Sequence, residues 1–539
     1  MQFNIVIPNY TRALLHCSWI LGLWLPVAYA LPETFDLSAS PLYLYTVSLT
    51  EILLLRLLIP GRFFFIFTWP ILLFGFARAT ASFLRGVNLI ELSAQIPIYS
   101  RLEILDALRP YVVISIIGIF ITGLWSFACY SLVQHNKLSR VNFLIAILGL
   151  LIIVKTTPET IISRAWPSDL AIISTSMVLG KSLTKDGEIS NYLASNSPRN
   201  HKTIWKVVNK PEYLGNQQTL IFIIGESIRS DFLKECNGPE KVRAVSDGAL
   251  VACDVTAGSD STYYSVPLLV SRELPGHVQR VSTDSTFAAA LTEVGFDSYW
   301  ISGQFPGIAW PDTNHLFFEW SNVDKNLLPQ VSRSIGGKRL RKVIVLHANN
   351  AHSPYCSRYD QLHAPYPISC KNLNGVPDQE SLSLYKQSYA NAVDASIGFV
   401  NQVIDLSRSA QGEVFVLFTP DHGEGFLDDS RQLYGHALTH PTRWDTHVPA
   451  IFWANDAWKQ AHASKWLHLK SQIHAQLMHA DMVPTFMAAA GVGYDDPRGS
   501  EVVNLLETPV PARRRVIQIS PGVATDWQTL VNEANTNSL

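Results

Sequence analysis

Residues 111–133, YVVISIIGIFITGLWSFACYSLV, carry no charged side chain over 23 positions. As a helix, that run is long enough to cross the roughly 30 Å hydrocarbon core of a bilayer. No other feature restricts the chain as strongly, because a segment surrounded by lipid must satisfy its own backbone. Three further segments read the same way: Ala13–Leu31, Pro41–Pro60 and Phe63–Leu84, the last interrupted by Arg78. A fifth, Val141–Val154, is shorter and needs its flanks to reach the interfaces. Five spans are expected within residues 1–156.

Arg12, the Arg56–Arg62 turn and the Lys137–Arg140 loop fall on one side if every span crosses, and Glu33 and Asp36 on the other. Basic loops stay in the cytoplasm, so an odd number of spans places everything after Lys155 outside it. Ala28-Tyr29-Ala30 resembles a signal-peptidase site, but the four spans that follow favour retention. Glu51 lies near the middle of the second span, where a carboxylate is expensive. It is either functional or paired with Arg56 or Arg78.

Composition supports the division. Charged residues make up 16% of the chain, against about 25% in a typical soluble protein. Residues 1–156 hold ten Lys or Arg and six Asp or Glu, whereas the remainder is net negative. A wholly soluble protein, a disordered chain and a collagen-like fibre are excluded. The near-balance of 42 basic and 44 acidic residues also removes any general case for nucleic-acid binding. Cys17 and Cys129 lie inside spans, while Cys236, Cys253, Cys356 and Cys370 lie in the exported part. An even number in an oxidising compartment suggests two disulfides, expected between sequence neighbours as Cys236–Cys253 and Cys356–Cys370.

Residues 157–215 read as a linker with interfacial helices, including the moderately apolar Ile161–Leu183. Residues 216–539 then show short β-rich runs: Leu220–Ile224, Ser298–Ile301, Val343–Leu346, Val414–Phe418, Ala450–Trp453 and Val516–Ile519. Helix-compatible stretches such as Glu380–Ser407 and Gln472–Ala490 separate several of them. Continuously apolar strands are covered on both faces, so the expected fold class is α/β, with helices on a mainly parallel sheet. Ligands in such sheets bind beyond the carboxyl ends of the strands.

Two strand ends carry chemistry. The run IFII delivers Gly225-Glu226-Ser227-Ile228-Arg229-Ser230-Asp231, and VFVLF delivers Thr419-Pro420-Asp421-His422-Gly423-Glu424. Asp, Glu and His together suit Zn²⁺ or Mn²⁺. A hydroxyl-rich stretch, Ser259-Asp260-Ser261-Thr262-Tyr263-Tyr264-Ser265-Val266-Pro267, offers a nucleophile, because a hydroxyl held against a metal loses its proton more readily. From the residues alone, Ser259, Ser261 and Thr262 are all open for that role.

Five N-terminal spans followed by GESxRxD, T-x-x-SVP and DHGE resemble the phosphoethanolamine transferases. That family lies within the alkaline phosphatase/sulfatase-like fold and includes lipid A-modifying enzymes and mobile colistin-resistance proteins. The resemblance implies a bacterial multi-pass inner-membrane protein with a periplasmic catalytic domain. It implies Thr262 as a nucleophile carrying phosphoethanolamine, with Glu226, Thr262, Asp421 and His422 as zinc ligands. His352, in Asn350-Ala351-His352-Ser353-Pro354-Tyr355, and His436, in Tyr434-Gly435-His436, correspond to histidines that contact the substrate phosphate or an additional zinc. Zinc is the implied cofactor, one ion with a second to be tested, and manganese fits less well. The implied donor is phosphatidylethanolamine. Lipid A is the first choice of acceptor, ahead of core heptose, periplasmic glucan or a surface protein, and the expected state is a monomer. No role is carried onto His447, and His347, directly after a strand, reads as structural.

Three departures stand out. Many members have cysteines bracketing the nucleophile, where this chain has Gly258 and Leu268. Asp-His-Gly-Glu continues as Gly-Phe-Leu-Asp-Asp, and Ser302-Gly303-Gln304 stands where members carry polar substrate-site residues. The nearest rival is a phosphoglycerol transferase of the same superfamily. A non-catalytic metal-binding membrane protein is a further alternative. A sulfatase activity is disfavoured, because the Cys-x-Pro-x-Arg segment matured to formylglycine is absent.

Overall fold

The computed structural model describes residues 205–209, 217–277, 284–304, 312–319, 323–349, 351–369, 373, 377–438, 441–520 and 522–536, together with Ile116, Ile119 and Phe120. Those last three are helical, with exposed side chains. The rest of the five expected spans, most of the expected linker, Glu51 and Cys370 lie outside the described residues. Among the described residues, no helix is long and apolar enough to cross a membrane. The chain forms two compact units, Met1–Glu91 with Leu108–Ser190, and Leu92–Ala107 with Asn191–Leu539.

The second unit is an α/β domain. Among the described residues, eight strands form its main sheet: β1 (Gln218–Gly225), β2 (Leu250–Thr256), β3 (Asp297–Ser302), β4 (His315–Phe318), β5 (Arg341–His347), β6 (Glu413–Pro420), β7 (His447–Ala454) and β8 (Leu477–Met478). They lie side by side in the order β8-β2-β7-β6-β1-β5-β3-β4. Of these eight, β7 runs against the others, so the sheet is mixed but mainly parallel.

Every residue of β1 is buried. Its alternate side chains enter two separate cores: Leu220, Phe222 and Ile224 on one face, Ile221 and Ile223 on the other. Burial of each large apolar side chain contributes about 1.5–3 kcal/mol. On the first face Phe222 packs against Phe287 of α1 (Phe287–Glu293) at 5.0 Å and against Phe486 of α2 (Met482–Ala489) at 5.1 Å. The other face is covered by the 27-residue helix Leu382–Arg408. Its buried Tyr389, Val393, Ile397, Val400 and Ile404 recur at helical spacing and form one apolar stripe.

The strand series differs from expectation at its edges. Leu250–Thr256 is only partly buried and contains Cys253 and Asp254, so it lacks the continuous apolar signature of the central strands. His315–Phe318 is an edge strand with two exposed residues. The stretch Gln472–Ala490 is interrupted by the strand pairing of Leu477–Met478 before α2 begins. Val516–Ser520 is a strand, but it pairs with Val523–Asp526 in a separate two-stranded sheet. A disulfide joins Cys236 to Cys253, with Cα atoms 5.5 Å apart, and Cys356 is also disulfide-bonded.

Candidate functional site

The site begins with strand register. β1 and β6 are adjacent and parallel, with Gly225 level with Pro420. The next residue on each strand, Glu226 and Asp421, therefore leaves the sheet at the same height. The Asp421 amide still donates to the Gly225 carbonyl at 3.0 Å, so the ladder continues one step into the site. The chain then turns sharply at Ser227, which has φ 54° in the left-handed region. A non-glycine residue there costs on the order of 1–3 kcal/mol and needs surroundings that enforce it. The enforcing bonds are present: the Ser227 amide donates to Asp421 Oδ1 at 3.1 Å, and its hydroxyl to Glu226 Oε1 at 2.5 Å.

Thr262 is the first residue of the nine-residue helix Thr262–Val270, which follows β2 and the Gly258–Ser261 loop. Its Oγ1 lies 3.1 Å from His422 Nε2. The other His422 nitrogen, Nδ1, donates to the Gly423 carbonyl at 2.8 Å. The proton therefore sits on Nδ1, and the Nε2 lone pair faces inward. That lone pair is 3.5 Å from Glu226 Oε1 and 3.5 Å from Asp421 Oδ2. Ser261 occupies the position just before the helix, its carbonyl accepting from the Ser265 amide at 2.8 Å, and Ser259 lies in a backbone bridge with Gln518.

Electrostatically this centre is undercompensated. Glu226, Asp421 and His422 are fully buried, and Asp421 Oδ2 has no hydrogen-bond partner among the described residues. Burial pushes the Asp421 carboxyl up to about 6 and the His422 imidazole down to about 4. An orphaned carboxylate oxygen and an inward lone pair suit a divalent cation. The ligand atoms of Glu226, Asp421 and His422 all lie within 4.8 Å of one another, so the residues fit the implied metal.

Glu226 belongs to a second such group, with His352 and His436. The His436 ring centroid is 4.3 Å from that of His422 and 5.3 Å from that of His352. Glu424 Oε1 accepts from His436 Nδ1 at 3.1 Å. Burial alone would lower His436, but Glu424, Glu226 and Asp421 outweigh it and raise the imidazole to about 9. His352 Nδ1 donates to the Ser353 carbonyl at 2.5 Å. The Arg358 guanidinium holds the same turn, its Nε donating to the His352 carbonyl at 2.9 Å.

Other residues take supporting places. Arg229 forms ion pairs with Asp231 at 2.6 Å and Asp428 at 2.8 Å, rather than with Glu226. His447 Nε2 pairs with Asp254 at 3.3 Å. His347 is buried with neither ring nitrogen hydrogen-bonded among the described residues, a core histidine that burial pushes down to about 3. Sequence reasoning gave no role to Glu424, although it directly follows Asp-His-Gly. It also did not foresee that Gln304 Nε2 donates to Glu226 Oε2 at 2.5 Å and to the Ala348 carbonyl at 2.7 Å. Tyr389, which grips the Ser227 turn from the long helix, left no local signal.

Comparison with known proteins bears on the family and the fold. Residues 218–492 match the sulfatase family. Phosphatidylethanolamine transferase Mcr-2 of Escherichia coli is 25% identical over 278 residues, covering 44% of this chain and 48% of its own. The chain spans about half the length of the curated relatives it matches. Among solved structures, the C-terminal periplasmic domain of EcEptC from Escherichia coli, in complex with Zn, aligns with TM-score 0.52 at 17% identity. It covers 61% of this chain and 96% of that domain. The integral membrane lipooligosaccharide phosphoethanolamine transferase A from Neisseria meningitidis aligns with TM-score 0.59 at 16% identity, covering 89% and 95%. At these identities the structural likeness speaks for the fold.

Proposed function

The chain belongs to the sulfatase family, and on that premise we propose that it is a membrane-anchored, zinc-dependent phosphoethanolamine transferase. The observation that carries this reading is the Thr262 hydroxyl 3.1 Å from His422 Nε2, at the rim of the buried Glu226–Asp421–His422 group. Within the family's range of chemistries, a threonine in place of a formylglycine precursor favours a phosphorylated over a sulfated intermediate. The name of the Mcr-2 relative supports phosphatidylethanolamine as donor.

Glu226, Asp421 and His422, with Thr262, would hold one zinc ion, and His352 and His436 would hold the substrate phosphate or, with Glu226, a second zinc. Zinc bound there supplies Lewis acidity, lowering the pKa of the hydroxyl and polarising the donor phosphate. Thr262 Oγ1 attacks the phosphorus of phosphatidylethanolamine, and the bond from phosphorus to the diacylglycerol oxygen breaks. His352 or His436 gives a proton to the departing diacylglycerol oxygen and is reprotonated by the one that Thr262 has lost. An oxygen of a lipid A phosphate then attacks the phosphorus of phospho-Thr262, the bond from phosphorus to Thr262 Oγ1 breaks, and the proton released by the acceptor returns to Oγ1. Five spans in residues 1–156, a linker over 157–215 and a periplasmic domain over 216–539 would hold the site at the inner membrane, where the donor lipid is confined.

The test is Thr262→Ala in the full chain. Transfer to lipid A, read by mass spectrometry of the host's lipid, should disappear while folding and expression persist. Full activity in that variant would sink the assignment. The mass of the adduct trapped on Thr262 should equal phosphoethanolamine, and a phosphoglycerol adduct would overturn the donor.

A further inference from the structure

The Gly258–Ser261 loop has to hold Thr262 still, yet its bracketing positions are Gly258 and Leu268 and form no covalent staple. Its backbone is instead engaged from three directions. The Ala257 amide donates to the Thr446 carbonyl at 2.9 Å, and the Gly258 amide to His479 Nδ1 at 3.3 Å. Asp260 accepts from the Ala437 amide at 2.9 Å through its carbonyl and from the Leu438 amide at 2.7 Å through Oδ2.

The third support comes from more than 250 residues further along the chain. The Gln518 amide donates to the Gly258 carbonyl at 2.8 Å, and Gln518 forms a parallel bridge with Ser259. Its side chain turns the other way: Oε1 accepts from the Gly276 amide at 3.1 Å. Gly258 precedes the helix Thr262–Val270 and Gly276 follows it. One fully buried residue thus ties together the segments on either side of the nucleophile-bearing helix.

Gln518 is itself firmly held. It lies in the strand Val516–Ser520, paired with Val523–Asp526. The Arg515 guanidinium forms an ion pair with Asp254 on β2 and stacks over the Trp527 ring at 4.0 Å. The Trp527 indole N–H donates to Thr446 Oγ1 at 3.1 Å, on the same segment that holds Ala257. Both anchors lie at the base of the hairpin, where the Trp527 amide donates to the Arg515 carbonyl at 2.9 Å: one reaches the sheet, the other the Thr442–Thr446 turn.

We propose that Gln518 is a positioning residue for Thr262, a non-covalent clamp that keeps the hydroxyl in line with His422. The inference rests on the reading of Thr262 as nucleophile. The geometry also supplies its own rescue. A Cβ placed on Gly258 would lie 3.1 Å from Leu268 Cβ, so these two positions already face each other. Disulfides hold Cβ atoms about 3.5–4.5 Å apart, a separation that a small outward shift of the loop reaches.

The experiment compares Gln518→Met, which keeps the backbone bond to Gly258 and removes the acceptor for Gly276, with the same variant carrying Gly258→Cys and Leu268→Cys in oxidised form. Both are made in the full membrane-embedded chain. Gln518→Met should lower kcat for transfer by about tenfold or more while KM stays within about twofold, because misplacement of a reacting group is felt in the chemical step. Hydrogen exchange of the Gly258–Ser265 amides should speed up in that variant, with β1 and β6 unchanged. The oxidised double cysteine should restore both measurements, and reduction should abolish the rescue. Unchanged kcat and exchange in Gln518→Met would overturn the proposal. Equal loosening of the whole domain, with no rescue, would also overturn it by showing a purely structural role. If the unmodified protein transfers no phosphoethanolamine, the functional reading fails, and the exchange measurement alone decides the clamp.

Discussion

The Tyr389 hydroxyl donates to the Ser227 carbonyl at 2.5 Å and accepts from the Arg229 amide at 2.9 Å. One side chain on the long helix thus closes both sides of the turn that carries Glu226. The turn includes the left-handed Ser227, so its shape depends on being held from outside.

Tyr389→Phe should therefore expose that dependence. It leaves a buried carbonyl and a buried amide without their partner, a loss of about 1–3 kcal/mol. Urea unfolding should report that loss, and zinc affinity should fall with it. Unchanged affinity alongside the stability loss would show that the turn keeps its shape without Tyr389.

Glu226 is common to both candidate metal groups, whereas Asp421 and His436 each belong to one. Zinc content measured by elemental mass spectrometry should separate the two. Glu226→Gln should lose metal from both, and His436→Ala should spare the ion on Asp421 and His422. Undiminished zinc in Glu226→Gln would show that the cation lies elsewhere.

Gly423 has no room for a side chain. A Cβ there would lie 2.2 Å from the Trp444 carbonyl oxygen, and the Gly423 amide is fixed on the Asp445 carbonyl at 2.9 Å. Gly423→Ala has to displace backbone beside His422, which should cost about 1–3 kcal/mol and most of the activity. A variant of normal melting temperature and normal rate would contradict this tight fit.

His347 titrates near 3 when folded because it is buried, against 6.5 for an ordinary histidine. Below pH 6.5 the unfolded chain binds the extra proton, so this residue lowers stability as pH falls from 6.5 towards 3 and contributes nothing above. The slope is about 1.4 kcal/mol per pH unit for a single group. His347→Leu should flatten the loss of urea resistance between pH 7 and pH 5. Parallel profiles for the two proteins would rule out His347 as the acid-sensitive group.

Much of this architecture could be read from local pattern. QTLIFIIG and EVFVLFTP are continuously apolar, and only a strand covered on both faces tolerates that. Once both are central parallel strands, Glu226, Asp421 and His422 follow at their carboxyl ends without further information. Leu250–Thr256 escaped the same logic because its burial alternates irregularly around Cys253 and Asp254. The strand Val516–Ser520 was legible as a strand, but its pairing was not.

The sequence by itself determined the strand ends, the carboxylate and imidazole side chains they carry and the hydroxyl-rich stretch proposed to hold the nucleophile, because each depends on residues adjacent in the chain. Tertiary structure alone decided that Glu424 orients His436, that Gln304 reaches Glu226, and that Tyr389 and Gln518 hold the two loops. Those contacts join residues 12, 78, 162 and 260 positions apart. No local periodicity records such pairings, since they exist only after the sheet has set the register that brings the loops together.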